Sequence, residues 1–223
     1  MLQKKSIDLS DGSNEVKKEL SRRYAYNEKL ENGRIILEER RVKFVQIINT
    51  EEDKSKYQAI MQKYVDYVRD YYTQEASSEG CDMNKCFDEE ISVKNGKLPM
   101  FFVYNKQDKL LGMTGIRSIV DAKASGKKIK MQELSVRIVG ETKDSSSYGY
   151  GALVYLVLHL YVLNNNVNVF AKTYFQKRDF WFHMFDKVGM HYIETKMSPF
   201  SFLCRKMKMD VFASVKNVEL IEN

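Results

Sequence analysis

SSSYGYGA, Ser145 to Ala152, stands between a strand-like run and a nearly uninterrupted apolar segment, Ala152–Leu163. Two glycines, Gly149 and Gly151, put permissive backbone where a helix should begin. Two readings follow. One is a simple turn; the other is a backbone opened so that its amides hold an anion at a helix N-terminus.

Working outward, KMQELSVRIV (Lys130–Val139) reads as the strand before this loop, and the apolar segment as a buried helix ended by Asn164–Asn166. It is too short to span a bilayer and carries His159. VNVFAKTY (Val167–Tyr174) is a strand, and Phe180–Lys187 a second helix closed by Gly189. HYIETK and FSFLCRKMKM (ending at Met209) are strands around a Ser198-Pro199 turn.

Upstream, RRVKFVQII (Arg40–Ile48) alternates as a half-buried strand does. Asn49 to Glu52 then supply a cap and acids for a helix bearing Ile60, Tyr64, Tyr67, Val68 and Tyr71 on one face. Residues 75–96 read as a polar, turn-rich insertion. PMFFVYN, ending at Asn105, and LLGMTGIRSIV (Leu110–Val120) form a hairpin across KQDK, with Gly112 and Gly115 marking a bulge or close backbone packing. DAKASGKK, from Asp121, reads as a loop. The organisation expected is a weakly patterned, partly helical arm over residues 1–39, one domain over 40–209 and a C-terminal tail over 210–223.

Composition fits one soluble globular domain: 223 residues, 43% hydrophobic, 12% aromatic and 30% charged. The N-terminal stretch lacks an apolar signal region, so no export signal and no membrane anchor are expected. Cys81, Cys86 and Cys204 are an odd count without a CxxC pair, which points away from a disulfide framework or a metal site and towards a reducing cytoplasm. The net charge of +6 allows attraction to nucleic acid or anionic ligands, and equally a lysine-rich solvated surface.

Strand, GYGA opening a helix, strand, then a helix ending FDKVGM (Phe185–Met190) resembles the core of the GCN5-related N-acetyltransferase superfamily. Ser146-Ser147-Tyr148-Gly149-Tyr150-Gly151 fits that family's Arg/Gln-x-x-Gly-x-Gly/Ala signature except at its first position. The resemblance implies an α/β fold, a mixed and mostly antiparallel central sheet flanked by helices on both faces. It also implies an acetyltransferase using acetyl-CoA as co-substrate and needing no metal. Pyrophosphate would lie on Ser146, Ser147, Tyr148, Gly149, Tyr150, Gly151 and Ala152, with Lys143, or Lys177 and Arg178, supplying the cation that Ser146 lacks. The pantetheine amides would pair with the backbone of Arg137, Ile138 and Val139.

The chemistry implied is attack of a neutral amine on a thioester, which needs a proton acceptor. Glu133 matches the glutamate base of the histone-acetyltransferase branch, and an apolar wall around it would suit that role; a solvated strand-end carboxylate is the other reading. Phe185 stands where many members carry a tyrosine acid, leaving His183, Tyr174 and Tyr192 to donate to the thiolate, with His183 on the right helix. The acceptor is an amine on a protein, polyamine, aminosugar or aminoacyl-tRNA. Asp82, Asp88, Glu89 and Glu90 either draw in a cationic acceptor or solvate a loop. A non-catalytic module binding coenzyme A, a protein or a nucleic acid is the alternative.

Overall fold

The computed structural model describes residues 27–38, 42–72, 83–91, 100–138, 168–174, 178–186, 189–200 and 205–221. Among these residues ten strands build one sheet: β1 (Asn27–Glu31), β2 (Arg34–Glu38), β3 (Val42–Gln46), β4 (Met100–Asn105), β5 (Leu110–Ala124), β6 (Lys127–Ile138), β7 (Asn168–Tyr174), β8 (His191–Phe200), β9 (Arg205–Ala213) and β10 (Val218–Ile221). Their spatial order is β1-β2-β3-β4-β5-β6-β7-β9-β8, with β10 pairing β5 off this path. The β6–β7 contact is parallel, and the other described pairings are antiparallel.

Helix α1 (Glu51–Tyr72) starts where Thr50 Oγ1 accepts the backbone N–H of Asp53 at 3.2 Å. Glu51, Glu52 and Asp53 place negative charge in its first turn, against the positive end of the helix dipole. Tyr57, Ile60, Met61 and Val65 recur at helical spacing and bury against Met100, Phe102 and Met113 of the sheet. Met209 of β9 joins the same cluster. Phe212, three residues on, points to the opposite face by strand alternation and receives Phe182 and Phe185 of helix α3 (Arg178–Asp186). Helices therefore flank both faces. Helix α3 ends as expected at Gly189: its φ is 75°, its N–H bonds Asp186 O, and Met190 N–H bonds Phe185 O.

Five local expectations are corrected. Residues 27–38, read as arm, form the β1–β2 hairpin, closed by Asn32 and Gly33 at φ 50° and 74°, a two-residue turn whose twist suits a hairpin. Within the expected insertion, Met83–Ile91 form helix α2, because Phe87 and Ile91 are spaced to enter the core beside Tyr57. Burying a side chain such as Phe87 is worth about 1.5–3 kcal/mol, enough to outweigh turn-rich flanks. DAKASGKK is strand on both sides of a tight Ser125-Gly126 turn, φ 49° and 78°. Ser198 and Pro199 lie within β8, where proline is tolerated because the strand is at the edge of the sheet. The expected tail begins inside β9, and β10 fills the edge of β5 that β4 leaves uncovered beyond Gly115.

Candidate functional site

β6 and β7 run together for three pairs only: Met131 with Asn168, Gln132 with Val169 and Glu133 with Phe170. β6 continues against β5 as far as Ile138, and β7 continues against β9 as far as Tyr174. The two strands therefore part beyond Glu133. Among the described residues the β7-facing edge of 134–138 has no strand partner, and backbone donors and acceptors left so require a ligand or water. Arg137 and Ile138 lie on this edge. Val139 and the loop residues Ser146, Ser147, Tyr148, Gly149, Tyr150, Gly151 and Ala152 lie outside the described residues, as do Lys143 and Lys177.

Glu133 sits at the fork, its side chain 13% exposed. Ser118 faces it across the β5–β6 ladder and donates from Oγ to Glu133 Oε2 at 2.7 Å. A register shift between Ile116 and Ser118 makes Arg117 the extra residue of a bulge, bringing its Nε to 3.9 Å from the same oxygen. Two of the described neighbours of Glu133, Ser118 and Arg117, are thus polar. Glu133 Oε1 makes no hydrogen bond among the described residues.

Two and four residues along the same face come Ser135, 7% exposed, and Arg137, 3% exposed. Arg137 donates from both terminal nitrogens to Glu90 of α2, each at 2.6 Å, and Tyr57 of α1 donates its hydroxyl to Glu90 Oε2 at 2.8 Å. Burial pushes the Glu90 carboxyl up, but the charge and hydrogen bonds of Arg137 outweigh it and hold it below its ordinary value. Burial opposes the charge on Arg137, and Glu90 more than offsets this, so the guanidinium stays protonated. Tyr57 is pushed up by burial and then by Glu90. Glu90, expected in an acidic run facing acceptor or solvent, is instead an internal counter-charge. It pins both helices to the strand that parts from β7.

His183 is exposed on α3, and no hydrogen bond or ion pair links it to Glu133. Phe185 is 1% exposed and stacks between Trp181, at 5.6 Å, and Phe212, at 4.7 Å. Tyr192 is exposed, with its hydroxyl 2.7 Å from Thr195 Oγ1; Tyr174 ends β7, and Arg178 opens α3. Sequence reasoning missed Ser118, Arg117 and Tyr57. Ser118 and Arg117 were hidden by the bulge; the seven-residue step from Tyr57 to Tyr64 was the available signal for Tyr57.

No protein-family model matches the chain, and no curated protein matches it significantly. Solved structures do. A mutant form of the spermidine/spermine N-acetyltransferase SpeG from Vibrio cholerae is 11% identical, over 80% of this chain and 93% of that one, with a TM-score of 0.51. The spermidine N-acetyltransferase from Vibrio cholerae in complex with CoA and spermine is 12% identical over 79% and 95%, also at 0.51. The chain has the fold of the GCN5-related N-acetyltransferases, a large, mostly antiparallel sheet with, among the described residues, one parallel pairing.

Proposed function

We propose that the protein is an acetyl-CoA-dependent N-acetyltransferase that moves an acetyl group to an amine within a ternary complex. The observation that carries the reading is the parting of β6 from β7 with Glu133 at the fork. An unpaired strand edge suits the two amides of pantetheine, so the backbone of Arg137, Ile138 and Val139 would hold that arm. The Ser146–Ala152 loop, with Gly149 and Gly151 at its centre, would hold the pyrophosphate through successive amides at a helix N-terminus. Acetyl-CoA supplies the activated thioester; Glu133, held by Ser118, takes the proton that the amine must lose. Vibrio cholerae spermidine acetyltransferases share the fold, which supports an amine acceptor in general. No helix among the described residues is long and apolar enough to cross a membrane.

Thermal denaturation with and without acetyl-CoA tests this. At about 100 times Kd the ligand adds roughly 2.7 kcal/mol, which for a chain of this size raises Tm by about 5–10 °C. No shift at millimolar acetyl-CoA would overturn the proposal. A second reading, a coenzyme A-binding module without turnover, is favoured by Phe185: it is packed into an aromatic stack and offers no proton. Release of coenzyme A thiol in the presence of pooled amines separates the two.

A further inference from the structure

Among the described residues around the fork, one charged group pairs at long range without making a hydrogen bond. Arg137 is consumed by Glu90. Arg117, whose side chain is only 33% exposed, approaches Glu133 Oε2 through Nε at 3.9 Å, too long for a hydrogen bond. Its guanidinium, with five donors, makes no hydrogen bond among the described residues. Withdrawing such a group from water without partners is costly, and a bulge in the strand is what aims it here.

We propose that Arg117 is the acceptor-specificity residue and that the acceptor is a small zwitterion, an amino acid whose carboxylate lies beside its amine. The proposal rests on the acyl-transfer reading. Arg117 and Glu133 form an open pair of opposite charges, and a zwitterion bridges it: carboxylate on the guanidinium fork, amine on Glu133. A planar guanidinium matches a carboxylate with two parallel hydrogen bonds. An amine with no acidic group would meet the Arg117 cation on its way to Glu133, and a polyamine would meet it with more than one charge. In the transfer, the amine nitrogen bonds the acyl carbon and the carbon–sulfur bond breaks with its electron pair on sulfur. The proton lost by nitrogen passes by way of Glu133 to solvent or to the thiolate.

Matched pairs test this on the full chain: ornithine against putrescine, lysine against cadaverine, phenylalanine against phenethylamine, each with acetyl-CoA and thiol release as readout. We expect at least one amino acid to exceed its decarboxylated twin about tenfold or more in kcat/KM. Arg117→Gln should raise KM for that amino acid roughly 10- to 150-fold, the range for hydrogen bonds to a charged group. Arg117→Lys should recover part of the loss, and the acetyl-CoA thermal shift should persist in both variants, showing that they fold. A preference for the twins, or an equal loss on both members of a pair in Arg117→Gln, overturns the inference while leaving acyl transfer standing. An absent acetyl-CoA shift overturns the acyl-transfer reading and this inference with it.

Discussion

Replacing Glu90 by alanine removes the carboxylate that pairs with both terminal nitrogens of Arg137, each at 2.6 Å, and that accepts from Tyr57 at 2.8 Å. Arg137 would stay 3% exposed, with a full charge and without its two-point carboxylate partner. Breaking a buried pair from one side costs about 3–5 kcal/mol, because the remaining charge is stranded rather than because the pair itself was worth that much. For a chain of this length each kcal/mol moves Tm by roughly 2–4 °C, so a fall of about 6–20 °C is expected. The single tryptophan, Trp181, is 7% exposed and gives a fluorescence signal for urea titration. The triple variant Tyr57→Phe, Glu90→Leu, Arg137→Met should recover most of the loss, since apolar groups of similar volume need no desolvation and leave no buried hydroxyl without its acceptor. A loss below about 1 kcal/mol in Glu90→Ala would refute the picture of a desolvated pair holding α1 and α2 to β6. The sign with pH follows from the lowered Glu90 value. Its stabilisation is fully present above the unfolded-state carboxyl pKa and is lost as pH falls through the folded-state one, so Glu90→Ala should flatten the acid side of the stability profile.

Glu133→Gln should lower turnover by roughly 10²–10⁴ with the acetyl-CoA thermal shift kept; an unchanged rate would transfer the base role to water or another group. Asp53→Ala should cost about 1.5–3 kcal/mol in urea titration, the range for hydrogen bonds to a charged group. It removes the acceptor of Arg34 at 2.6 Å and of the Ile48 N–H at 2.8 Å, and the loss should appear first as faster hydrogen exchange in β1 and β2. His183→Ala and Tyr192→Phe should each keep activity within about tenfold, or 1.4 kcal/mol of barrier, since both residues are exposed and a thiolate departs without strong assistance. A thousandfold loss in either variant would identify the missing acid.

The middle of the fold was legible because its strands alternate and its glycines punctuate. Arg40–Ile48, Leu110–Val120 and Lys130–Val139 each overlap an observed strand, and Gly189 ends α3 through the bonds its position implied. What failed did so for physical reasons. Helix α2 is nine residues long inside a stretch rich in turn formers, so its identity rests on Phe87 and Ile91 finding the core, a tertiary fact. The strand ends at Asp121–Ala124 and Lys127–Ile129 carry lysines on their outer face, which local composition reads as loop.

The site was half legible for a related reason. Glu133 and Arg137 could be placed on one strand by its alternation, but the same period-two alternation sends Arg117 and Ser118 to opposite faces. The bulge at Arg117 breaks that alternation and brings both to one carboxylate. Gly112 and Gly115, at φ 157° and 152°, signalled irregular backbone in this strand, yet the residues displaced by the register shifts are Leu111, one position from Gly112, and Arg117, two positions from Gly115. Nor could sequence show which acid answers which base. Glu90 lies 47 positions from Arg137 and reads as part of a solvated acidic run. Once that pairing is made, Arg117 is the cation beside Glu133 among the described residues. The chemistry of the acceptor then turns on a charge balance set by α2, an element that local sequence did not reveal.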